Sequence, residues 1–261
     1  MEVIWRTASD IGRARRSMQD SVEGVALVDS DATFLLVADG MGGAPAGDVA
    51  SQLAVEAARR SVESQGLSAT TADEDVADLL QEAVRAANDA VWSRATSEPG
   101  TRGMGTTLVL AIVRPGRAAI ANVGDSRAYL LRQGSLDQIT VDHSYVAEAV
   151  RAGRLSPEEA RTHSHRNIIT RVVGTQDAVE GDITLIAFNE GDTLLLCTDG
   201  LHGPLDDAEI ATVLAESVLT DAALAHGDLT GAERLIAAAN QAGGPDNIAV
   251  ALAVISARPS A

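Results

Sequence analysis

Runs of apolar residues alternate along the chain with stretches of helical period, and their order predicts the architecture. Phe34 to Val37 form an unbroken apolar run that passes through Ala38 into Asp39-Gly40, the pattern of a buried strand ending at a polar lip. Met1 to Ser9 and Glu23 to Val28 read as strands before it, separated by the turn residues Asp10 to Gly12 and Asp29 to Asp31. After Gly42 and Gly43 the period changes. Val49, Leu53, Val55, Ala57 and Val62 mark a helix between Gly47 and Gln65, and Val76, Leu79, Leu80, Ala83, Val84, Ala87 and Val91 mark another from Glu74 to Ala95. Two consecutive helices predict an antiparallel pair.

Residues 105–113, 117–124, 126–134 and 136–140 read as four strands linked by tight turns at Pro115-Gly116, Asp125-Ser126 and Gln133-Gly134, which predicts antiparallel pairing. From Asp142 to Thr175 the pattern breaks into short helical pieces and a polar HSHRN segment, an excursion from the sheet. Strands return at Glu180 to Ala187 and Thr193 to Cys197. Helices follow at Asp206 to Glu216 and Thr230 to Ala242, before a final VALAV strand. Strands, helices and strands in groups predict an α+β layered sandwich of mostly antiparallel sheets, within one domain over 1–261.

The chain of 261 residues is 46% apolar, enough for one substantial core, and it has no apolar run long enough to span a membrane. With 37 acids against 20 bases and a net charge of −17, nucleic acid and anionic membrane are poor partners, and 2% aromatic content disfavours base stacking. The single cysteine, Cys197, lies inside the LLLC run. It reads as a buried hydrophobe rather than a nucleophile, and a cytoplasmic location is expected. Arg13, Arg15 and Arg16 are a local basic spot in this acidic background.

One Asp-Gly strand end is an ordinary turn signal. The design recurs at Asp199-Gly200 after LLLCT, and acidic turns also occur at Gly124-Asp125-Ser126 and Pro245-Asp246-Asn247. Together with Asp20 these make five carboxylates at strand ends or turns, where remote parts of a chain can converge. Like charges in one small volume oppose folding unless cations compensate them, and an all-oxygen donor set favours Mg²⁺ or Mn²⁺. Gly40 leaves a carbonyl available as a further oxygen ligand. Two ions roughly 3.5–4 Å apart would activate a shared water toward phosphorus. Arg15, just before Asp20, is the candidate for gripping phosphate oxygens through its planar fork. DGMGG lacks the Gly-Lys-Ser/Thr of a nucleotide loop. His143 reads as a structural residue rather than a proton carrier, and His163 and His165 as exposed loop residues.

RSMQD at 16–20, VADGMGG at 37–43, GTT at 105–107, VGDSRAYL at 123–130, TVDHSYV at 140–146, RNIITRVVG at 166–174, LLLCTDGL at 195–201 and GGPDNIAV at 243–250 resemble the metal-dependent protein phosphatases of type 2C, in their bacterial serine/threonine form. The resemblance spans nearly the whole chain and implies a central antiparallel β-sandwich flanked by helix pairs in four αββα layers. It also implies a binuclear Mn²⁺ or Mg²⁺ site and a flap, here about 144–177. Carried over by motif, Asp39 resembles the carboxylate bridging both ions, Gly40 the carbonyl ligand, and Asp199 and Asp246 ligands of the first ion. Asp20 resembles the water-mediated position at the second ion, Arg15 the phosphate-binding arginine, and Asp125 the residue that, with Asp199, holds a third, weaker ion. Met18, Met41, Ala44, Gly203 and Pro245 depart from residues common in the family, which leaves the leaving-group acid unassigned.

The implied activity is hydrolysis of phosphoserine and phosphothreonine on proteins, opposing a Ser/Thr kinase, by a monomer. The alternatives are a catalytically silent phosphoprotein-binding regulator and a small-molecule phosphohydrolase. A silent regulator would have no reason to keep so costly an acidic cluster.

Overall fold

Two antiparallel sheets stack face to face, each with helices on its outer side, in a computed structural model that describes residues 2–28, 30–42, 46–68, 70–218 and 230–256. Gly43 and Ala44, singled out above beside the Asp-Gly lip, lie outside the described residues, as does Met1. In chain order the first elements are β1 (Glu2–Asp10), β2 (Asp20–Ala26), β3 (Thr33–Met41), α1 (Ala46–Gln65), α2 (Asp73–Ser97), β4 (Gly105–Thr106), β5 (Leu108–Arg114) and β6 (Gly116–Val123). Then come β7 (Arg127–Arg132), β8 (Ser135–Gln138), α3 (Tyr145–Arg151), α4 (Pro157–Thr162), β9 (Asp182–Phe188), β10 (Thr193–Cys197), α5 (Asp199–His202), α6 (Asp207–Val218), α7 (Gly231–Gln241) and β11 (Ile248–Ser256). One sheet runs β1-β11-β10-β7-β8 and the other β2-β3-β5-β6-β9, with β4 added to the end of β3.

The apolar run of β3 is continuous because both of its faces are covered. Phe34, Leu36 and Ala38 pack with α1 and α2, whereas Leu35 and Val37 point between the sheets toward Leu194, Leu196, Ala249 and Ala251. On the far side, Tyr129, Leu195, Cys197 and Val250 meet Leu201, Ile210, Leu214 and Leu235 of the other helical layer. Period-two alternation thus feeds three apolar layers, giving the αββα order expected. Truncating one of these buried leucines to alanine costs about 2–5 kcal/mol. Among the described residues, no helix is long and apolar enough to cross a membrane.

Three details differ from expectation, and each concerns the site. β3 does not stop at Ala38. It runs on to Met41, because Asp20 pairs with Asp39 and β4 pairs with Gly40 and Met41. β2 accordingly begins at Asp20 rather than Glu23. The Asp125-Ser126 turn does not close a hairpin, since β6 and β7 belong to opposite sheets and the chain crosses the sandwich there. A short link fixes proximity but leaves the choice of partner to whichever strand buries each face.

Candidate active site

Strand register gathers the predicted residues at one end of the sandwich. Asp20 opens β2 opposite Asp39, Cys197 at the end of β10 pairs with Val250 and Arg127, and Asn122 near the end of β6 pairs with Val109. Asp125, Asp199 and Asp246 therefore emerge from crossing points and turns beside the Asp20–Asp39 pair.

Asp39 is held through its backbone. Its N–H donates to Thr107 Oγ1 at 2.9 Å, and its carbonyl accepts from Thr107 N at 2.9 Å and Thr106 Oγ1 at 2.8 Å. Thr107 Oγ1 also meets Ser126 Oγ at 2.7 Å, so one hydroxyl ties the Asp39 peptide to the turn that carries Asp125. Gly40 is packed so closely that a Cβ would stand 1.9 Å from Gly47 O, which brings the start of α1 against the site. Asp20 is 8% exposed and accepts from Thr198 Oγ1 at 2.8 Å, while Thr198 accepts from Ala249 N at 2.9 Å. Threonine thus stitches the two sheets together directly beneath the acids.

Arg15 donates to Asp246 Oδ2 at 2.5 Å, and Asn247 N donates to Asp246 Oδ1 at 2.8 Å. The loop bearing Arg15 is sewn down by Gln19 N to Asn247 Oδ1 at 2.8 Å, Asn247 Nδ2 to Ile11 O at 2.9 Å and Arg13 N to Gly244 O at 2.7 Å. His202, which the sequence reading did not single out, meets the carbonyl of Asp125 with Nε2 at 3.1 Å. That contact joins the Asp125 turn to the short helix that begins at Asp199. Nothing in the local pattern around His202 signals it.

The Asp39 carboxyl lies within hydrogen-bonding reach of both Asp20 and Asp199, so it sits in the middle of the cluster. Burial, with the charges of Asp20, Asp199, Asp125 and Asp246 around it, holds Asp39 well above the usual carboxylate range. Burial and the neighbouring Asp199 and Asp246 raise Asp20 to about 7. Burial with Asp199 and Asp142 raises Asp125 to about 7, and burial with Asp246 raises Asp199 to about 6. The hydrogen bond to Asp246 raises the Arg15 guanidinium.

Oδ1 of Asp125 and Oδ1 of Asp199 are buried with no hydrogen-bond partner among the described residues. Unpaired buried carboxylate oxygens are costly, and a divalent cation is the partner that this all-oxygen set suits. Among the described residues no three His, Cys, Asp or Glu side chains already enclose one point as a cage. The contacts run pairwise through Asp39 instead. A cavity of ≈ 670 Å³ opens beside Asp125 and Asp199, walled by Val146, Ala147 and Val150 of α3 and by Arg161 and Arg166.

The remaining candidates fall outside this cluster. Cys197 is fully buried, and burial pushes its thiol up. His143 is buried beside Gly124, and burial lowers its pKa. His165 is exposed, as read from the sequence, and His163 is half-buried. Their rings lie 5.3 Å apart and 5.7 and 5.3 Å from Tyr145, an aromatic trio on the excursion.

The sequence profile of the family described as protein phosphatase 2C matches residues 13–229. The serine/threonine phosphatase stp of Listeria innocua is 40% identical over 256 residues, which cover 97% of this chain and 95% of that protein. The structure of the serine/threonine phosphatase Stp1 from Staphylococcus aureus superposes with a TM-score of 0.87 at 32% identity, covering 98% of this chain and 96% of that one. The catalytic domain of the serine/threonine protein phosphatase PstP, in complex with two manganese ions, gives a TM-score of 0.81 at 36% identity over 98% of this chain and 99% of that one. With a matching profile over most of its length, the same layered fold and full-length relatives at this identity, the chain belongs to the protein phosphatase 2C family.

Proposed function

We propose that this protein removes phosphate from phosphoserine and phosphothreonine on other proteins, opposing a Ser/Thr kinase, as a cytoplasmic monomer that works with Mn²⁺ or Mg²⁺. The observation that carries the reading is the set of carboxylates from five separate segments, Asp20 buried and the other four half-buried, converging on Asp39 with two buried oxygens that have no hydrogen-bond partner among the described residues. A fold that retains so much like charge needs cations to neutralise it. The PstP domain with its two manganese ions supports the same conclusion.

Asp39 would be shared between two ions and the carbonyl of Gly40 would be a further ligand, with Asp199 and Asp246 holding the first ion and Asp20 acting through water at the second. Asp125 with Asp199 would hold a further, weaker ion. Bound there, the ions would supply positive charge to the phosphoryl oxygens and lower the pKa of the attacking water. Arg15 binds the phosphate: its side chain is 48% exposed at the mouth of the site, and its fork matches two phosphate oxygens. Thr198, Thr107 and Asn247 keep the acids and the Arg15 loop in register. The cavity beside Asp125 and Asp199 gives the polypeptide flanking the phosphoresidue a place to lie.

Phosphate release from a phosphothreonine peptide should require Mn²⁺ or Mg²⁺, stop with EDTA and exceed release from small metabolite phosphates. Release that persists in chelator-stripped protein would overturn the metal-dependent reading, and a preference for the small esters would overturn the protein substrate.

A further inference from the structure

We infer that His143 is a positioning residue for the reaction: anchored by Asp182 and Arg171, its ring fixes the Gly124 peptide and so aims the carboxylate of Asp125. The inference rests on the reading of Asp125 as an ion ligand. Gly124 N donates to His143 Nδ1 at 3.0 Å, and His143 N donates back to Gly124 O at 2.9 Å. Because a backbone N–H can only donate, Nδ1 must be the bare nitrogen and Nε2 must carry the proton. Nε2 lies 3.1 Å from Asp182 Oδ2, which accepts that proton, and Asp182 Oδ1 accepts from Arg171 Nη1 at 2.5 Å. Asp182 thereby locks the tautomer that Gly124 requires. Without it, a ring carrying its proton on Nδ1 would confront the Gly124 N–H donor to donor.

The turn has little freedom to compensate. Gly124 has φ +105°, and a Cβ there would stand 2.6 Å from Thr107 Cγ2, so the peptide is wedged between Thr107 and the imidazole. Ser126 beyond it is held by Thr107 Oγ1 at 2.7 Å, and the Asp125 carbonyl by His202 at 3.1 Å. These contacts leave the Asp125 side chain as the free arm of a clamped turn. His143 touches no part of the cavity beside the acids. Its ring lines a separate cavity of ≈ 530 Å³ together with Arg171 and Asp182, so it acts through Gly124 rather than on substrate. Arg171 lies on the returning limb of the excursion, and His143 O accepts from Thr170 N at 2.8 Å, so the excursion and the Asp125 turn share one anchor. Residues behind a ligand that fix its orientation typically govern affinity by about 10–100-fold.

The test is calorimetric titration of Mn²⁺ into the chelator-stripped full chain, with far-UV circular dichroism as the check on folding. Asp125→Asn should remove the weakest class of ion and leave the tighter ones. His143→Gln, which can still reach Asp182 but places no acceptor at Gly124, and Asp182→Leu, which frees the tautomer, should each weaken that class by about 10–100-fold without moving the tighter ones. His143→Asn places an amide oxygen where Nδ1 stands, and it should restore most of the weak-site affinity. Asp182 has a side chain 52% exposed, so its variant carries the comparison if a core substitution at His143 does not fold. The proposal is overturned if Asp125→Asn loses the weak ion while His143→Gln and Asp182→Leu titrate like the wild type, or if His143→Asn loses as much as His143→Gln. If Asp125→Asn itself titrates like the wild type, the assignment of Asp125 fails first, and the role of His143 with it.

Discussion

Asp20 and Asp39 stand directly opposite each other in the β2–β3 ladder, with the Asp39 carboxyl within hydrogen-bonding reach of Asp20. Opposed like charges at such a position destabilise an antiparallel pair, so stability is sacrificed here for chemistry. Asp39→Asn should therefore raise the melting temperature in EDTA, by about 2–4 °C per kcal/mol recovered. Under the proposed function the same change should remove turnover and tight Mn²⁺ binding, because one carboxylate would serve two ions. Scanning calorimetry and phosphate release check both halves, and a variant with near wild-type turnover would show that the bridge lies elsewhere.

The raised pKa of Asp20 gives a pH signature. Its folded value of about 7 lies above the ordinary carboxylate value of about 3.9, so the folded state binds the extra proton between those limits. The stability this provides is complete below about pH 4 and is lost as pH rises through about 7. Asp20→Asn stays neutral throughout. In EDTA it should match the wild type near about pH 3 and exceed it near about pH 8, by an amount on the order of a few kcal/mol. Urea unfolding at the two pH values measures this, and a constant difference between the proteins would refute the assignment.

Arg15 contacts phosphate in the ground state and the transition state alike under the proposed function. Arg15→Ala should raise KM for a small phosphoester more than it lowers kcat. Arg15→Lys should recover little, since an ammonium cannot fork onto two oxygens. Steady-state kinetics of the two variants decide the point; a loss confined to kcat would move Arg15 from binding to chemistry.

The layered architecture and the acids themselves were readable from sequence because both are local signals. The double-sided burial of β3 appears as an unbroken apolar run, and Asp39, Asp199 and Asp246 stand beside glycine or asparagine at the ends of such runs. What eluded the pattern was pairing. Asp125-Ser126 looks like any hairpin turn, yet it crosses between sheets, because β7 pairs with β10 and buries Ala128 and Leu130 between the sheets rather than returning along β6. The residues that hold the acids in place, Thr107, Thr198 and His202, act across distances of 19 to 178 positions in the chain, where no periodicity speaks. Asp39 lies inside a strand rather than after it because β2 starts early enough for Asp20 to pair with it, and the two-residue β4 then carries the ladder on to Gly40 and Met41.

The excursion over about 144–177 is anchored at its ends and open between them, which separates its structural from its functional part. Asn88, buried on α2, donates to Gln176 O at 3.1 Å and accepts from Gly174 N at 2.8 Å, while Thr106 and Val173 form a bridge beside them. At the other root, Ser144 bridges Ile169 and Tyr145 N donates to Ile168 O at 2.9 Å. Between these roots, α3 and α4 wall the cavity that reaches Asp125 and Asp199. Replacing 147–166 with a short linker should therefore leave hydrolysis of a small aryl phosphate near its original rate but reorder preference among phosphopeptides. Asn88→Ala should behave differently. It strands a buried Gly174 N–H at a cost of about 1–3 kcal/mol and loosens the root itself, so thermal stability falls along with activity on every substrate. If the linker variant lost aryl phosphatase and peptide phosphatase activity in equal measure, the excursion would be a brace for the metal end of the sandwich rather than the wall that selects its substrates.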